Sequence, residues 1–171
     1  MKYNNCLRRN TAAIIALLLI CGLAGCQTGA LSFQGREVRP ENRILFPVEG
    51  TGTGSWQTRD MTIDYQLIPK GDGIHLTGTL SWANHILFNF NNMRFSLRAN
   101  FFDDQNTITG GQAIPLIGFW QLEETLQIDI LLNTLPTDKG LAFSYSGRAS
   151  DGGTNRRGRG DAIDFSIWHV P

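Results

Sequence analysis

Cysteine is scarce in this chain, and its placement makes it scarcer still. The 171 residues contain three, Cys6, Cys21 and Cys26, and none follows. Whatever folds beyond residue 26 has no disulfide, no cysteine metal ligand and no thiol nucleophile, so its core must supply its stability. Charge is sparse: 18% of residues are Asp, Glu, Lys or Arg, with 15 of each sign. Histidine occurs three times, at His75, His85 and His169. No two have the spacing of a zinc-binding helix or strand, so a metal site is not expected and all three are read as surface residues. The G-x-S-x-G elbow of serine hydrolases, the phosphate-cradling P-loop and the EF-hand calcium series are also missing. No apolar run approaches the ~20 residues that a spanning helix needs.

What is present begins at the N-terminus. Residues 1–10 carry Lys2, Arg8 and Arg9 and no acid. An apolar stretch of roughly 13 residues follows, from Thr11 to Leu23, too short to span a bilayer comfortably. It closes on Leu23-Ala24-Gly25-Cys26. A basic start, a short apolar centre and small residues before a cut form the pattern of a secretion signal. The last four residues resemble the lipobox of bacterial lipoproteins. That resemblance implies cleavage between Gly25 and Cys26, a diacylglycerol on the Cys26 thiol and a fatty acyl group such as palmitate on the new amino terminus. It covers only residues 1–27. Gln27, where an Asp would signal inner-membrane retention, implies delivery to the outer membrane. Two or three acyl chains hold a protein durably where one does so only marginally.

The expected organisation is a cleaved signal over 1–25, a lipidated N-terminus and tether over 26–45, and a β domain over 46–171. Removing Lys2, Arg8 and Arg9 leaves 12 basic against 15 acidic residues, a net charge of −3. That balance lacks the basic footprint of a nucleic-acid binder.

Within the domain, period-2 alternation dominates. Met61, Ile63, Tyr65 and Leu67 alternate with polar residues over Trp56–Ile68, which is expected to be one half-buried strand. Thr51–Ser55 before it is turn-like. Lys70-Gly71-Asp72-Gly73 predicts a hairpin turn into a strand over Ile74–Trp82. Asn84–Asn92 is a short strand or a docking loop. Met93–Phe102 alternates again, Asp103–Asn106 is a polar turn, and a strand returns around Thr107–Thr109. Gly110-Gly111 interrupts it, and Pro115 bars a regular central strand over Ala113–Ile117. Residues 125–132 fit a strand better than a helix. Strands over Leu141–Gly147 and Ala162–Val170 flank a Gly/Arg/Asn loop at 150–160. About seven or eight short strands without βαβ units predict an all-β fold, an antiparallel β-sandwich of immunoglobulin-like kind or a small barrel. The stretch Met93–Ile108 resembles small immunoglobulin-like modules of bacterial envelope proteins, a likeness that carries no functional residue.

Three candidate sites remain. Arg156, Arg157 and Arg159 are basic enough to touch anionic headgroups or a partner. Phe88, Phe90, Phe119, Trp120 and Trp168 are candidates for an apolar patch, with Phe102 and Trp168 out of phase with their strands' apolar faces. Asp103-Asp104 and Glu123-Glu124 are the adjacent carboxylates that a hydrolase could use. With no catalytic motif, the expectation is a non-enzymatic outer-membrane lipoprotein without cofactor. Its domain would serve as an interaction or structural module, held by its lipid and meeting an envelope protein. A small-molecule or lipid-binding domain is the alternative, and a carboxylate-dependent hydrolase comes third.

Overall fold

Alternation of apolar and polar side chains is the force that organises this domain, because each strand can bury one face only by packing on a second sheet. The computed structural model describes residues 33–90, 92–116, 124–150 and 164–171. Nine strands run through them: β1 (Ile44–Leu45), β2 (Gly52–Gln57), β3 (Met61–Lys70), β4 (Gly73–Trp82), β5 (Asn92–Phe102), β6 (Ile108–Ile114), β7 (Thr125–Asn133), β8 (Gly140–Ser150) and β9 (Asp164–His169). One sheet has the order β2-β3-β4-β7. In the other, β6 pairs with β5 and β5 with β8, while β1 and β9 both pair with β8. Every pairing is antiparallel. The result is an all-β sandwich of two open sheets and not a closed barrel.

The inner faces carry the residues that the alternation marks. Met61, Ile63 and Leu67 of β3, Leu76, Leu80 and Trp82 of β4, and Leu126, Ile128 and Leu132 of β7 meet Leu97, Ala99 and Phe101 of β5 and Leu141, Phe143 and Tyr145 of β8. Each large side chain taken fully out of water contributes about 1.5–3 kcal/mol. The β3–β4 connection leaves Gly71 at φ +61, the left-handed region a tight hairpin requires at its first loop position. The β5–β6 turn is held by Asp103, whose Oδ1 accepts from the backbone N–H groups of Gln105 and Thr107, both at 2.9 Å.

Several local expectations are corrected. The strand predicted over Trp56–Ile68 is two strands, β2 and β3, broken by a turn at 58–60. Thr51–Ser55 is mostly strand, because Gly52–Ser55 pairs with Asp64–Leu67. Asn84–Leu87 forms a short helix, α1. Gly110 and Gly111 lie inside β6 and pair with Phe101 and Asn100. Pro115 does act as expected: β6 is an edge strand and stops at Ile114.

The compact unit also begins earlier than residue 46, at Phe33. Phe33 and Val38 pack with Phe102, Ile108 and Ala142 in a second, smaller cluster. Phe102 and Ala142 are out of phase with inward-facing Phe101 and Leu141, so this cluster lies on the outer face of the five-stranded sheet. Backbone bonds from Gly35 to Ile108 (2.9 Å) and from Val38 to Asn106 (2.9 Å) fasten the segment there. Phe102, which the alternation left unexplained, is fully buried beneath it.

Candidate functional site

The turn that splits the predicted first strand creates the most concentrated polar cluster of the described residues. Thr58 shapes it. Its Oγ1 accepts from the backbone N–H groups of Asp60 and Met61, each at 3.2 Å, and its own N–H donates to the Met61 carbonyl at 2.8 Å. The turn places the Asp60 side chain inside the domain, with the residue 2% exposed. A buried carboxylate is tolerable only with donors around it, and Asp60 has three. Tyr145 of β8 donates its hydroxyl to Oδ2 at 2.8 Å. His85 Nε2 of α1 and Arg59 Nε each lie 3.2 Å from Oδ1. The Asp60 carbonyl also accepts from the Ala83 N–H at 2.9 Å, which anchors the entry to α1.

The Tyr145 bond crosses from one sheet to the other, so the cluster ties the two layers of the sandwich together. Burial pushes the Tyr145 hydroxyl up to about 12; the nearby Thr58 hydroxyl opposes that rise and the Asp60 carboxylate adds to it. Its ring stacks on His169, with centroids 5.8 Å apart and planes at 18°. Trp56 meets the same imidazole edge-on at 5.0 Å. His169 Nε2 is buried, with no hydrogen-bond partner among the described residues. Burial holds His169 below its usual range, and the Arg39 charge adds to this against Asp60 and Glu41. The expectation of three surface histidines therefore fails at His169. His75 does lie on an outer strand face, 2.7 Å from Asp129, and His85 keeps a partly exposed side chain.

A carboxylate orienting an imidazole is half of an acyl-transfer triad. Here the hydroxyl that joins the pair belongs to tyrosine and bonds to the carboxylate. The chemistry of this cluster is that of a tie between layers. The second buried carboxylate, Asp138, is likewise engaged, accepting from Thr109 Oγ1 and the Leu135 N–H, both at 2.7 Å. Among the described residues no three His, Cys, Asp or Glu converge as a metal site would require.

Among the described residues, the predicted candidates are not gathered into one place. Arg156, Arg157, Arg159, Phe119, Trp120, Glu123, Gly25 and Cys26 lie outside the described residues. Phe88, at the end of α1, is 81% exposed, whereas Phe90 packs against the main core. Trp168 belongs to a different element and face: it pairs with Ser146 of β8 and is 68% exposed on the outer side of the five-stranded sheet. Asp103 holds its own turn, and Asp104 and Glu124 are exposed.

The two outer strand faces differ in charge. On the five-stranded sheet, Arg94 pairs with Arg148, which pairs with Ser166; the next row is Ser96, Ser146 and Trp168. These six are exposed. Arg98 follows on the same face, its guanidinium donating to the Gly111 carbonyl at 2.7 Å. The opposite face, on the four-stranded sheet, carries Asp64 and Asp129, with Lys70 at the hairpin end.

Sequence reasoning missed Asp60 because Thr58-Arg59-Asp60 sits within an otherwise regular alternation. The usable signal was a Thr two residues before an Asp, a pair that favours turns. It also missed the arginine face, because Arg94 and Arg148 are 54 positions apart and only sheet register makes them neighbours. The chain matches no protein-family model, no curated protein and no solved structure.

Proposed function

We propose that this chain is a bacterial lipoprotein, acylated at Cys26 and held by that lipid at the outer membrane. Its sandwich is a non-catalytic module for interaction or structure in the cell envelope. One observation carries the reading: Leu23-Ala24-Gly25-Cys26 stands where a short apolar run ends, behind a start carrying Lys2, Arg8 and Arg9. Support for a non-catalytic domain comes from the buried polar groups. Asp60 and Asp138 spend their acceptors on internal donors, an arrangement suited to holding layers together.

The test is metabolic labelling of the producing bacterium with an alkyne-tagged fatty acid. The wild-type chain takes up the tag and sediments with outer membrane. Cys26→Ser loses both the tag and signal cleavage. A wild-type chain that stays untagged, or a Cys26→Ser chain that stays tagged, contradicts the reading.

A further inference from the structure

We infer that the free edge of β2, centred on Ser55, pairs antiparallel with the same edge of a second copy of this chain and joins the two four-stranded sheets into one. Only the folded domain is involved, whether or not Cys26 is acylated. The Thr58 N–H donates to the Met61 carbonyl at 2.8 Å, so Thr58 faces β3. In an antiparallel ladder, successive residues turn their N–H and C=O alternately toward and away from the neighbour. Trp56, Gly54 and Gly52 therefore bond to β3, and Gln57, Ser55 and Thr53 present theirs to the outside. All three are exposed, and among the described residues no hydrogen bond reaches those main-chain groups.

The edges at the other side of the sandwich are occupied. On β7, the Gln112 side chain donates to the Leu131 carbonyl at 3.1 Å and accepts from the Asn133 N–H at 3.0 Å. On β6, the Arg98 guanidinium donates to the Gly111 carbonyl at 2.7 Å, Gly35 and Arg36 bond to Ile108, and Pro115 follows the end of the strand. A bare edge is ordinarily guarded by charge, proline or a bulge. β2 has none of these. Gly52–Gln57 is uncharged and without proline, and it pairs with β3 through six positions with no register shift.

The strand is complementary to itself, which selects a second copy as its occupant. A twofold axis through Ser55 sets Ser55 against Ser55, and Thr53 against Gln57 of the other copy. Those are the residues whose main-chain groups face outward, so the pairing exchanges about six hydrogen bonds. No like charges meet, because all three side chains are neutral. On the inner face, Trp56 is already packed against Phe143, Tyr145 and His169, so pairing leaves the core as it is. The contact is short beside a standard-size interface, so the dimer exchanges with monomer and is captured by covalent trapping.

The experiment uses the full chain in the bacterium that makes it, with cysteines placed on the edge and copper phenanthroline as oxidant. Residues facing each other in a hydrogen-bonded pair have Cα atoms about 5.5 Å apart, within disulfide reach. Thr53 and its own counterpart are offset along the strand by about 14 Å, out of reach. The proposal predicts that Ser55→Cys gives a disulfide-linked species of twice the chain's mass. Its yield is several-fold above that of Thr53→Cys or Gln57→Cys alone, and above the wild-type chain with its natural Cys6, Cys21 and Cys26. Thr53→Cys and Gln57→Cys together restore the link. Adding Ser55→Pro to that pair abolishes it, because the central N–H is lost. Ser55→Lys, which sets two like charges face to face, does the same while the urea midpoint stays that of wild type. Equal linking by the three single variants, or none above wild type, overturns the proposal. So does a Ser55→Cys adduct of any other mass, which would put a different protein on the edge. A Ser55→Lys chain that keeps the wild-type midpoint and still links through Thr53→Cys/Gln57→Cys overturns it as well.

Discussion

A carboxylate buried as deeply as Asp60 persists because each of its oxygens has a donor, and the Tyr145 hydroxyl reaches it from the other sheet. Tyr145→Phe keeps the ring that stacks on His169 and removes only that donor. Hydrogen bonds to charged groups are worth about 1.5–3 kcal/mol, and the unfolding free energy should fall by that amount in urea titration. A loss below about 0.5 kcal/mol would mean that the tie contributes little beyond ring packing. His169 sets a pH dependence. Its folded pKa is held below 6.5, so the unfolded chain binds the proton more readily. The stability it supports is complete above that value and is lost as pH falls toward the folded pKa, at no more than one proton's slope, ~1.4 kcal/mol per pH unit. His169→Phe keeps an aromatic ring and discards the buried Nε2, so stability measured across mildly acidic pH should have a shallower slope than wild type. An unchanged slope would place the titration elsewhere. Neither residue was legible in the sequence. Tyr145 falls in the strand expected over Leu141–Gly147, where nothing marks its hydroxyl for Asp60, and His169, expected at the surface, is carried by β9 against Trp56 and Tyr145.

Elements were more legible, since alternation belongs to the strand itself. β3, β4, β5, β7 and β8 all bury the faces that their sequences mark. Failures cluster where glycine replaces the pattern. β2 begins Gly52-Thr53-Gly54-Ser55, which has no apolar face to detect, and β6 passes through Gly110-Gly111. Register explains part of this composition. Tyr65 lies between Gly54 on β2 and Gly78 on β4. A Cβ on Gly54 would strike the tip of the Tyr65 ring, while a Cβ on Gly78 would strike the Asp64 carbonyl oxygen of the neighbouring backbone. The two glycines therefore make room for different things. Gly54→Ala should cost about 1–2 kcal/mol alone and almost nothing in a Tyr65→Ala background. Gly78→Ala should cost about 1–3 kcal/mol in both backgrounds, because the obstruction is main chain. A double-mutant cycle by chemical denaturation distinguishes them. Equal coupling of both glycines to Tyr65 would contradict the reading.

At the scale of the whole molecule, the sequence separates an address from a fold. The proposed address occupies residues 1–27 and the alternation begins near residue 56, so their readings are independent. Between them, residues 33–45 looked like tether because they lack periodicity, yet Phe33, Val38 and Ile44 pack onto the domain. Single apolar anchors under an irregular segment leave no periodic trace. The proposed anchoring depends on the covalent state of Cys26. The most direct measurement is the intact mass, with fragmentation, of the chain extracted from membranes of the bacterium that makes it. If Cys26 is acylated as proposed, the chain begins at Cys26 and carries diacylglycerol on sulfur and an acyl group on its amino terminus. A chain that retains residues 1–25, or begins elsewhere without lipid, would contradict it.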